Sequence, residues 1–117
     1  MARRPQRGEV WSVGFDPAVG LEIREVRPAV VLSGNSIGRL PLRVVVPVTE
    51  WQPAFAASPR FVSLPATSAN GLSKNSGADA SQVKSISETR FVQFLGSIDA
   101  AQVDEIALAI ALRVEAL

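Results

Sequence analysis

Apolar and polar residues alternate, or gather in short apolar blocks, along most of the chain. The alternation from Gly8 to Phe15 predicts a half-buried strand, because successive side chains of a strand point to opposite faces. The apolar run from Pro28 to Ser33 predicts a buried strand. Leu42 to Thr49 predicts a third strand, in which Pro47 marks a sheet edge or a bulge because it cannot donate a backbone hydrogen bond. Three further strands are predicted, at Arg60 to Leu64, Ser81 to Ile86 and Phe91 to Ile98.

The end of the chain changes to a helical periodicity. Asp99 stands where a helix N-cap is expected and Gln102 follows three residues later, which is the pattern of a capping box. Apolar residues then recur at helical spacing, at Val103, Ile106, Ala107, Ile110, Val114 and Leu117. Leu108 and Leu112 widen this face beyond what one small barrel needs, so the helix is either deeply buried or also packs on a partner.

Segments rich in Pro, Gly, Ser and Asn separate these elements and predict loops, at Asp16 to Gly20, Trp51 to Pro59 and Thr67 to Ser76. No repeat, low-complexity tract or linker divides the chain, so residues 1–117 are expected to form one domain. Short strands with turn signals between them, followed by one C-terminal helix, predict a mainly β fold of the α+β class. In this fold a small antiparallel barrel carries one packed helix.

Composition narrows the chemistry that such a domain can perform. The chain has 117 residues and contains no histidine, cysteine or tyrosine. Zinc fingers, Cys–His nucleophiles and Ser–His triads are therefore excluded, and so is the acid–base group most used near neutral pH. Any catalyst here has to use carboxylates, arginine, lysine, hydroxyls and backbone amides.

The same composition bears on location. The absence of cysteine suits a reducing compartment. No apolar run follows the N-terminal arginines, as a secretory signal requires, and the longest apolar stretch, Ile106 to Leu112, is far too short to cross a bilayer. We therefore expect a soluble, cytoplasmic protein with no membrane partner.

Charge is distributed unevenly along the chain. The formal net charge is only +1, so the whole molecule does not bind nucleic acid through net charge. The last helix is acidic, whereas most arginines lie in the first half, which favours a local basic face. These arginines are Arg3, Arg4, Arg7, Arg24, Arg27, Arg39 and Arg43.

The segment around Arg27 is the most unusual of the chain. Glu22, Arg24, Glu25 and Arg27 cluster at the entry of an otherwise apolar strand. Pro28 favours an extended backbone at Arg27, which aims the side chain in one direction. A guanidinium fixed in this way can hold a phosphate through two parallel hydrogen bonds. The alternative from spacing alone is a surface arginine paired with Glu22 or Glu25.

Other residues carry candidate chemistry, each with a plainer alternative. Thr49 ends a strand. Its hydroxyl is suited to hold a phosphate oxygen, or the residue is there only because threonine favours strands. Trp51 and Phe55 lie in a proline-bearing loop, where they stack nucleobases, anchor a partner peptide, or hold the loop folded on itself. Lys84 either meets a phosphate or solvates an edge strand. Trp11 shares a strand face with apolar residues and is assigned to the core.

The order of these motifs resembles the MazF/PemK family of toxin endoribonucleases. The matching pieces are RGEVW at 7–11, FDP at 15–17 with Gly20 and Glu22, RPAVVLS at 27–33, VPVT at 46–49, QVKSI at 82–86 and LGSID at 95–99. Each piece alone is a weak signal. The ordered set, with similar spacing, covers nearly the whole chain and is specific.

The resemblance implies an SH3-like barrel of the CcdB/MazF type with a C-terminal helix, acting as a homodimer. It implies the toxin of a type II toxin–antitoxin system, which cuts single-stranded mRNA at short motifs without a metal or other cofactor and is blocked by a cognate antitoxin protein. The positions that match the active site of the family are Arg27 and Thr49, with Glu22 from the preceding loop. The residues expected to contact RNA are Arg24, Trp51, Phe55, Gln82 and Lys84.

The reaction implied is attack of the RNA 2′-hydroxyl on the adjacent phosphorus, which leaves a cyclic phosphate and a free 5′-hydroxyl and requires RNA rather than DNA. Arg27 and Thr49 would bind the developing oxyanion, and Glu22 is the expected base. Arg27 is one candidate for the proton donor, but a difficult one, since an arginine guanidinium holds its proton far above neutral pH. The proton donor is therefore left open.

Three positions depart from the pattern of the family. The loop that usually reads Gly-(Ser/His)-Glu-Gln is here Gly20-Leu21-Glu22-Ile23, and the common Asp before the Gln of the QVKS-like motif is here Ser81. These changes remove polar neighbours of the site. They keep two alternatives open: a non-catalytic protein on the same barrel that binds RNA or a protein, as the related CcdB toxins target gyrase, and a structural dimer without an active groove.

Overall fold

The computed structural model describes residues 3–35 and 40–116. In this part of the chain the strands are β1 (Glu9–Gly14), β2 (Val26–Val31), β3 (Leu42–Glu50), β4 (Phe61–Leu64), β5 (Ser76–Asp79), β6 (Lys84–Ser87) and β7 (Phe91–Ser97), and helix α1 spans Ala100–Arg113. Short 3₁₀ segments lie at Pro53–Ala57, Ala80–Gln82 and Glu88–Arg90. Among the described helices, none is long and apolar enough to cross a membrane.

Strand β3 is the centre of an antiparallel sheet with the order β4-β5-β3-β2-β1-β7. One edge of β3 pairs with β2, and the other pairs first with β6 over residues 42–45 and then with β5 over residues 48–50. Pro47 falls between these two ladders. The carbonyl oxygen of Val44 accepts a hydrogen bond from the amide of Leu32, which directly follows β2. Backbone groups of successive strand residues face opposite edges, so the nitrogen of Pro47 faces the edge that pairs with β5 and β6. Neither of those two ladders requires a donor at this position. The proline therefore marks a break in the pairing inside the sheet and not an outer edge.

The sheet is not a closed barrel. Its end strands β4 and β7 do not pair with each other within residues 3–35 and 40–116. The loop after β4 lies against β7 instead, where the amide of Ser97 donates to the carbonyl oxygen of Ala69 over 2.8 Å. The predicted mainly β class with a C-terminal helix is confirmed, and the expectation of a closed barrel is corrected to a sheet whose open side is covered by a loop.

Two apolar clusters lie against the sheet, and they bury different strand residues. Helix α1 packs on the first through Val103, Ile106 and Ala109. The second contains Trp11, Val13, Phe15, Ala29, Val31, Val45 and Ile86. The assignment of Trp11 to the core is confirmed, and its indole nitrogen donates to Oε1 of Glu9 over 2.9 Å.

The predicted capping box of the helix is confirmed. The side chain of Asp99 accepts from the backbone of Gln102, and the side chain of Gln102 accepts from the backbone of Asp99. The helix ends at Arg113, so Val114 lies beyond it, and Leu117 is outside the described residues. Leu108 and Leu112 are about half exposed, at 50 % and 53 %, so deep burial of this side of the helix is wrong and partner packing remains the open alternative.

Strand β5 differs from the sequence prediction, which placed Ser76 in a loop and began a strand at Ser81. The four residues of β5 are buried, but they are small or polar and carry no apolar alternation. The side chain of Asp79 then accepts from the amide of Ser81, which starts a 3₁₀ turn and delays β6 to Lys84.

Candidate active site

A groove opens where β2 begins and β3 ends, and its lining includes both Arg27 and Thr49. Its volume is about 240 Å³, and we call it the Arg27–Thr49 groove. Continuing the β2–β3 register two residues beyond the Ala29–Pro47 pair puts Arg27 opposite Thr49, where cross-strand side chains are close neighbours. The loop between β4 and β5 supplies a further side through Ser73 and Lys74. The sequence prediction that Arg27 and Thr49 share a site therefore agrees with the geometry.

The guanidinium of Arg27 is exposed and largely unengaged. Its Nε donates to the carbonyl oxygen of Arg24 over 3.2 Å. Among the described residues no carboxylate pairs with it, so the alternative of an ion pair with Glu22 or Glu25 is not realised. The Nε contact orients the group and leaves both terminal nitrogens for a ligand.

The hydroxyl of Thr49 is also available. The residue is half-buried, pairs with Gly77 of β5, and makes no side-chain hydrogen bond within the part of the chain that the structure describes. A guanidinium and a hydroxyl on neighbouring strands form a set of donors suited to phosphate oxygens.

The groove also holds an ion pair that the sequence interpretation missed. Nζ of Lys74 lies 2.8 Å from Oε1 of Glu50. The hydrogen bond to Glu50, and then the negative charge of Glu50, raise the pKa of Lys74. The only local signal for Glu50 in the sequence is that it directly follows Thr49. Lys74 lies in a segment for which the sequence predicted only a loop.

Glu22 lies apart from this groove. It lines a second cavity of about 390 Å³ together with Gln82 and Lys84, and its Oε1 accepts a hydrogen bond from the amide of Val19 over 2.6 Å. The described residues thus do not bring Glu22 into the lining that holds Arg27 and Thr49. Its role as the base stays a prediction.

Gln82 ties the first loop, residues 15–25, to the segment before β6. Its Nε2 donates to the carbonyl oxygen of Leu21 over 2.9 Å, and its Oε1 accepts from the amide of Ile23 over 3.1 Å. The two bonds flank Glu22 and use both ends of the carboxamide. Ile23 packs against the second apolar cluster, while Leu21 is 96 % exposed. Gln82 therefore positions the loop, and its predicted RNA contact stays a prediction.

The turn that carries Gln82 is fixed by Asp79. This buried carboxylate accepts from Nε and Nη2 of Arg60, both over 2.7 Å, and from the amide and hydroxyl of Ser81. Burial raises the pKa of Asp79, but the hydrogen bonds from Arg60 and Ser81 outweigh it, so the net shift is downward. Asp79 thus caps the turn, and Ser81, which departs from the pattern of the family, donates to this cap.

Trp51 and Phe55 pack against each other and against β5. Their rings meet edge to face with the ring centroids 5.5 Å apart, and the ring of Phe55 stacks on that of Phe61 with the centroids 3.6 Å apart. A Cβ atom on Gly77 would come within 3.2 Å of the Trp51 ring, so glycine allows this contact. The loop from Trp51 to Pro59 therefore folds on itself, which was one of the alternatives predicted from the sequence. Both rings remain partly exposed.

The arginines of the first half do not gather into one basic face. Glu9 and Glu88 hold three of them in ion pairs, namely Arg3, Arg4 and Arg43. Arg7 donates to the carbonyl oxygen of Leu32, and Arg39 lies outside the described residues. Arg24 stays exposed and donates to the carbonyl oxygen of Gly20 over 3.0 Å. Of these arginines, Arg24 and Arg27 are exposed and form no ion pair among the described residues, and Arg27 lines the Arg27–Thr49 groove.

Known proteins match this arrangement over almost its full length. A family model described as the PemK-like, MazF-like toxin of type II toxin–antitoxin systems matches residues 6–114. The chain belongs to this toxin family. The family resemblance inferred from the motif order is confirmed.

Relatives of this MazF-like toxin agree in sequence and in structure. It is 33 % identical to Endoribonuclease MazF9 of Mycobacterium tuberculosis over 116 residues, which cover 94 % of this chain and 96 % of the relative. MazF (Form-I) of Deinococcus radiodurans is 25 % identical and superposes with a TM-score of 0.79, covering 97 % of this chain and 98 % of that one. MazF in a MazE–MazF structure (Form-II) of the same organism is 25 % identical with a TM-score of 0.70, covering 96 % of each chain.

Proposed function

We propose that this MazF-like toxin cleaves single-stranded mRNA in the Arg27–Thr49 groove, without a metal ion or other cofactor. The chain is an endoribonuclease toxin of a type II toxin–antitoxin system, a conclusion supported by the family match and by its 33 % identity to a protein named an endoribonuclease. The observation that carries the site is that Arg27 and Thr49 line one groove with donor groups that the described residues leave unused.

Arg27 and Thr49 stabilise the phosphorane that forms when the 2′-oxygen attacks phosphorus. The guanidinium takes two oxygens through parallel hydrogen bonds, and the hydroxyl donates a further one. The contact from Nε of Arg27 to the carbonyl oxygen of Arg24 holds the guanidinium in advance, so little reorganisation is needed when charge develops. Removing one donor of this kind costs on the order of 10²–10³ in kcat.

Glu22 is proposed as the base that accepts the proton of the 2′-hydroxyl. The match of its position to the family motif supports this role, and so does the clamp of Gln82, which fixes the backbone on both sides of it. The exposed carboxylate keeps access to solvent, so it can release the proton after each turnover.

The proposed RNA surface extends from the groove along its neighbours. Arg24 places a positive charge on the first loop, and Lys84 places one in the cavity that Glu22 lines. Trp51 and Phe55 present partly exposed rings on which bases can stack. Gln82 contributes through the loop that it positions. These roles rest on the resemblance and on exposure.

Partner and location proposals follow from the family. We propose a homodimer of one-domain chains, residues 1–117, that a cognate antitoxin protein inhibits in the cytoplasm, where mRNA is found. The MazE–MazF structure at 25 % identity supports an antitoxin partner. The exposed Leu108 and Leu112 give the helix an apolar surface for protein packing.

The experiment compares cleavage of single-stranded RNA by the purified protein with cleavage by Arg27→Ala and Thr49→Ala. We expect both variants to fold and to lose cleavage, and Arg113→Ala, a change to an exposed arginine at the end of α1, to cleave normally. Undiminished cleavage by Arg27→Ala would refute the proposed site. Loss of wild-type cleavage on adding EDTA would refute the metal-free mechanism, and RNA binding without cleavage would favour the non-catalytic alternative.

A further inference from the structure

The Arg27–Thr49 groove contains a lysine, Lys74, to which neither the motif match nor the family comparison assigns a role. The inference rests on the proposed function. Cleavage by a 2′-hydroxyl expels the 5′-oxygen of the next nucleotide, which leaves readily only when it is protonated. Arginine is poorly suited to this task because arginine side chains have pKa values above about 12. A lysine ammonium is a stronger acid, with an ordinary pKa of about 10.4.

Lys74 has the placement that such a donor needs. In the β3–β5 register Glu50 lies opposite Ser76, so Lys74, two residues before Ser76, is its diagonal neighbour. Two hydrogen bonds hold the backbone at the carbonyl of Lys74 and at that of the next residue. The hydroxyl of Ser76 donates to the carbonyl oxygen of Lys74 over 2.8 Å, and the amide of Trp51 donates to the carbonyl oxygen of Asn75 over 2.9 Å.

The ion pair with Glu50 keeps the ammonium in the groove and in its acid form. The Nζ–Oε1 distance is 2.8 Å, and the side chains are 68 % and 56 % exposed, so a phosphodiester can reach the pair. A lysine ammonium keeps its proton at neutral pH, and the hydrogen bond to Glu50 and the charge of Glu50 raise the pKa of Lys74 further. The other lysine, Lys84, lines the cavity of Glu22 instead.

We propose that Lys74 is the general acid of the cleavage reaction and that Glu50 is its positioning residue. The bond from the 2′-oxygen to phosphorus forms while the bond from phosphorus to the 5′-oxygen breaks. The proton of the 2′-hydroxyl goes to Glu22, and a proton of Lys74 goes to the 5′-oxygen. Lys74 then takes a proton from water and Glu22 returns one, so charge and atoms balance without an oxidant or a metal.

The test measures kcat of Lys74→Gln and Lys74→Arg on two RNA oligonucleotides that differ in one atom. One carries the natural 5′-oxygen at the cleaved bond, and the other carries sulfur there, which leaves as a thiolate without protonation. We expect both variants to lose on the order of 10²–10⁴ in kcat on the oxygen substrate and to stay within about threefold of wild type on the sulfur substrate. Arginine keeps the charge, so a parallel loss in Lys74→Arg identifies proton donation.

Glu50→Gln tests the positioning role with the same pair of substrates. We expect a smaller loss in kcat on the oxygen substrate, again absent on the sulfur substrate. Glu105→Gln and Arg113→Gln, each changing one exposed charge on α1, serve as controls that should cleave both substrates normally.

The outcomes separate this inference from the function on which it rests. Equal losses on both substrates, or wild-type rates in Lys74→Gln, would overturn Lys74 as the acid while wild-type cleavage still supports the groove. Full activity of Lys74→Arg on the oxygen substrate would also overturn it, because charge alone would then suffice. Absence of cleavage by the wild-type protein would overturn the proposed function itself.

Discussion

The carboxylate of Asp79 offers a sharp test of how the fold holds the site, because Asp79→Asn keeps its shape and removes its charge. In the variant an amide nitrogen faces a nitrogen of Arg60, and two charge-assisted hydrogen bonds of 2.7 Å are weakened or lost. Hydrogen bonds to charged groups contribute about 1.5–3 kcal/mol, and breaking a fully buried ion pair costs about 3–5 kcal/mol. Asp79 is only 3 % exposed, but the Arg60 side chain is 40 % exposed and regains water. We therefore expect a loss of about 2 kcal/mol in the free energy of unfolding.

The same carboxylate predicts a pH dependence with a definite sign. The pKa of Asp79 is lowered in the folded protein, so its ionised form is favoured by folding. Its contribution is fully present above the ordinary aspartate pKa of about 3.9 and is lost as pH falls through the lower folded value. The stability difference between wild type and Asp79→Asn should accordingly be constant near neutral pH and shrink below about pH 4.

Urea denaturation followed by tryptophan fluorescence measures both effects, at one protein concentration because the proposed dimerisation would shift apparent stability. Asp104→Asn, at an exposed position of α1, is the matched control and should stay within about 0.5 kcal/mol of wild type. A loss below about 0.5 kcal/mol in Asp79→Asn, or a loss that does not change between pH 7 and pH 3, would refute the reasoning about the charge.

Three further changes test other parts of the fold. Gly96→Ala should cost roughly 3 kcal/mol or more in urea denaturation, because its Cβ would lie 2.2 Å from a backbone oxygen of the loop that covers β7. Gly14→Ala, whose Cβ would have its nearest neighbour at 3.8 Å, should be tolerated, and equal losses would contradict the close approach. Gln82→Leu should speed hydrogen exchange at the amide of Ile23, which an unchanged rate would contradict. Asp99→Ala should cost about 1 kcal/mol through loss of the helix cap, and no loss would refute that role.

Local periodicity was enough to predict several elements of this fold. The alternation at Trp11 and Val13 and the capping box at Asp99 and Gln102 each act within a few residues, and both are confirmed. Strand β5 escaped prediction because Gly77 is buried by rings more than twenty positions earlier in the chain, and no apolar pattern records that contact.

Long-range register likewise limited the prediction of the site. Arg27 and Thr49 were found through motifs, and the β2–β3 pairing explains why they meet. The pair formed by Glu50 and Lys74 depends on the β3–β5 pairing, whose second strand was not foreseen. The contact of Gln82 with the first loop joins residues about sixty positions apart and left no local signal.

Identification of the RNA ends produced by the purified protein tests the central claim most directly. Mass spectrometry of a cleaved single-stranded oligonucleotide should show a cyclic phosphate on one fragment and a free 5′-hydroxyl on the other. A single 2′-deoxy substitution at the cleaved nucleotide should abolish the cut, because the attacking oxygen is gone. Fragments with 5′-phosphate ends, or undiminished cutting of the 2′-deoxy substrate, would contradict attack by the 2′-hydroxyl in the Arg27–Thr49 groove.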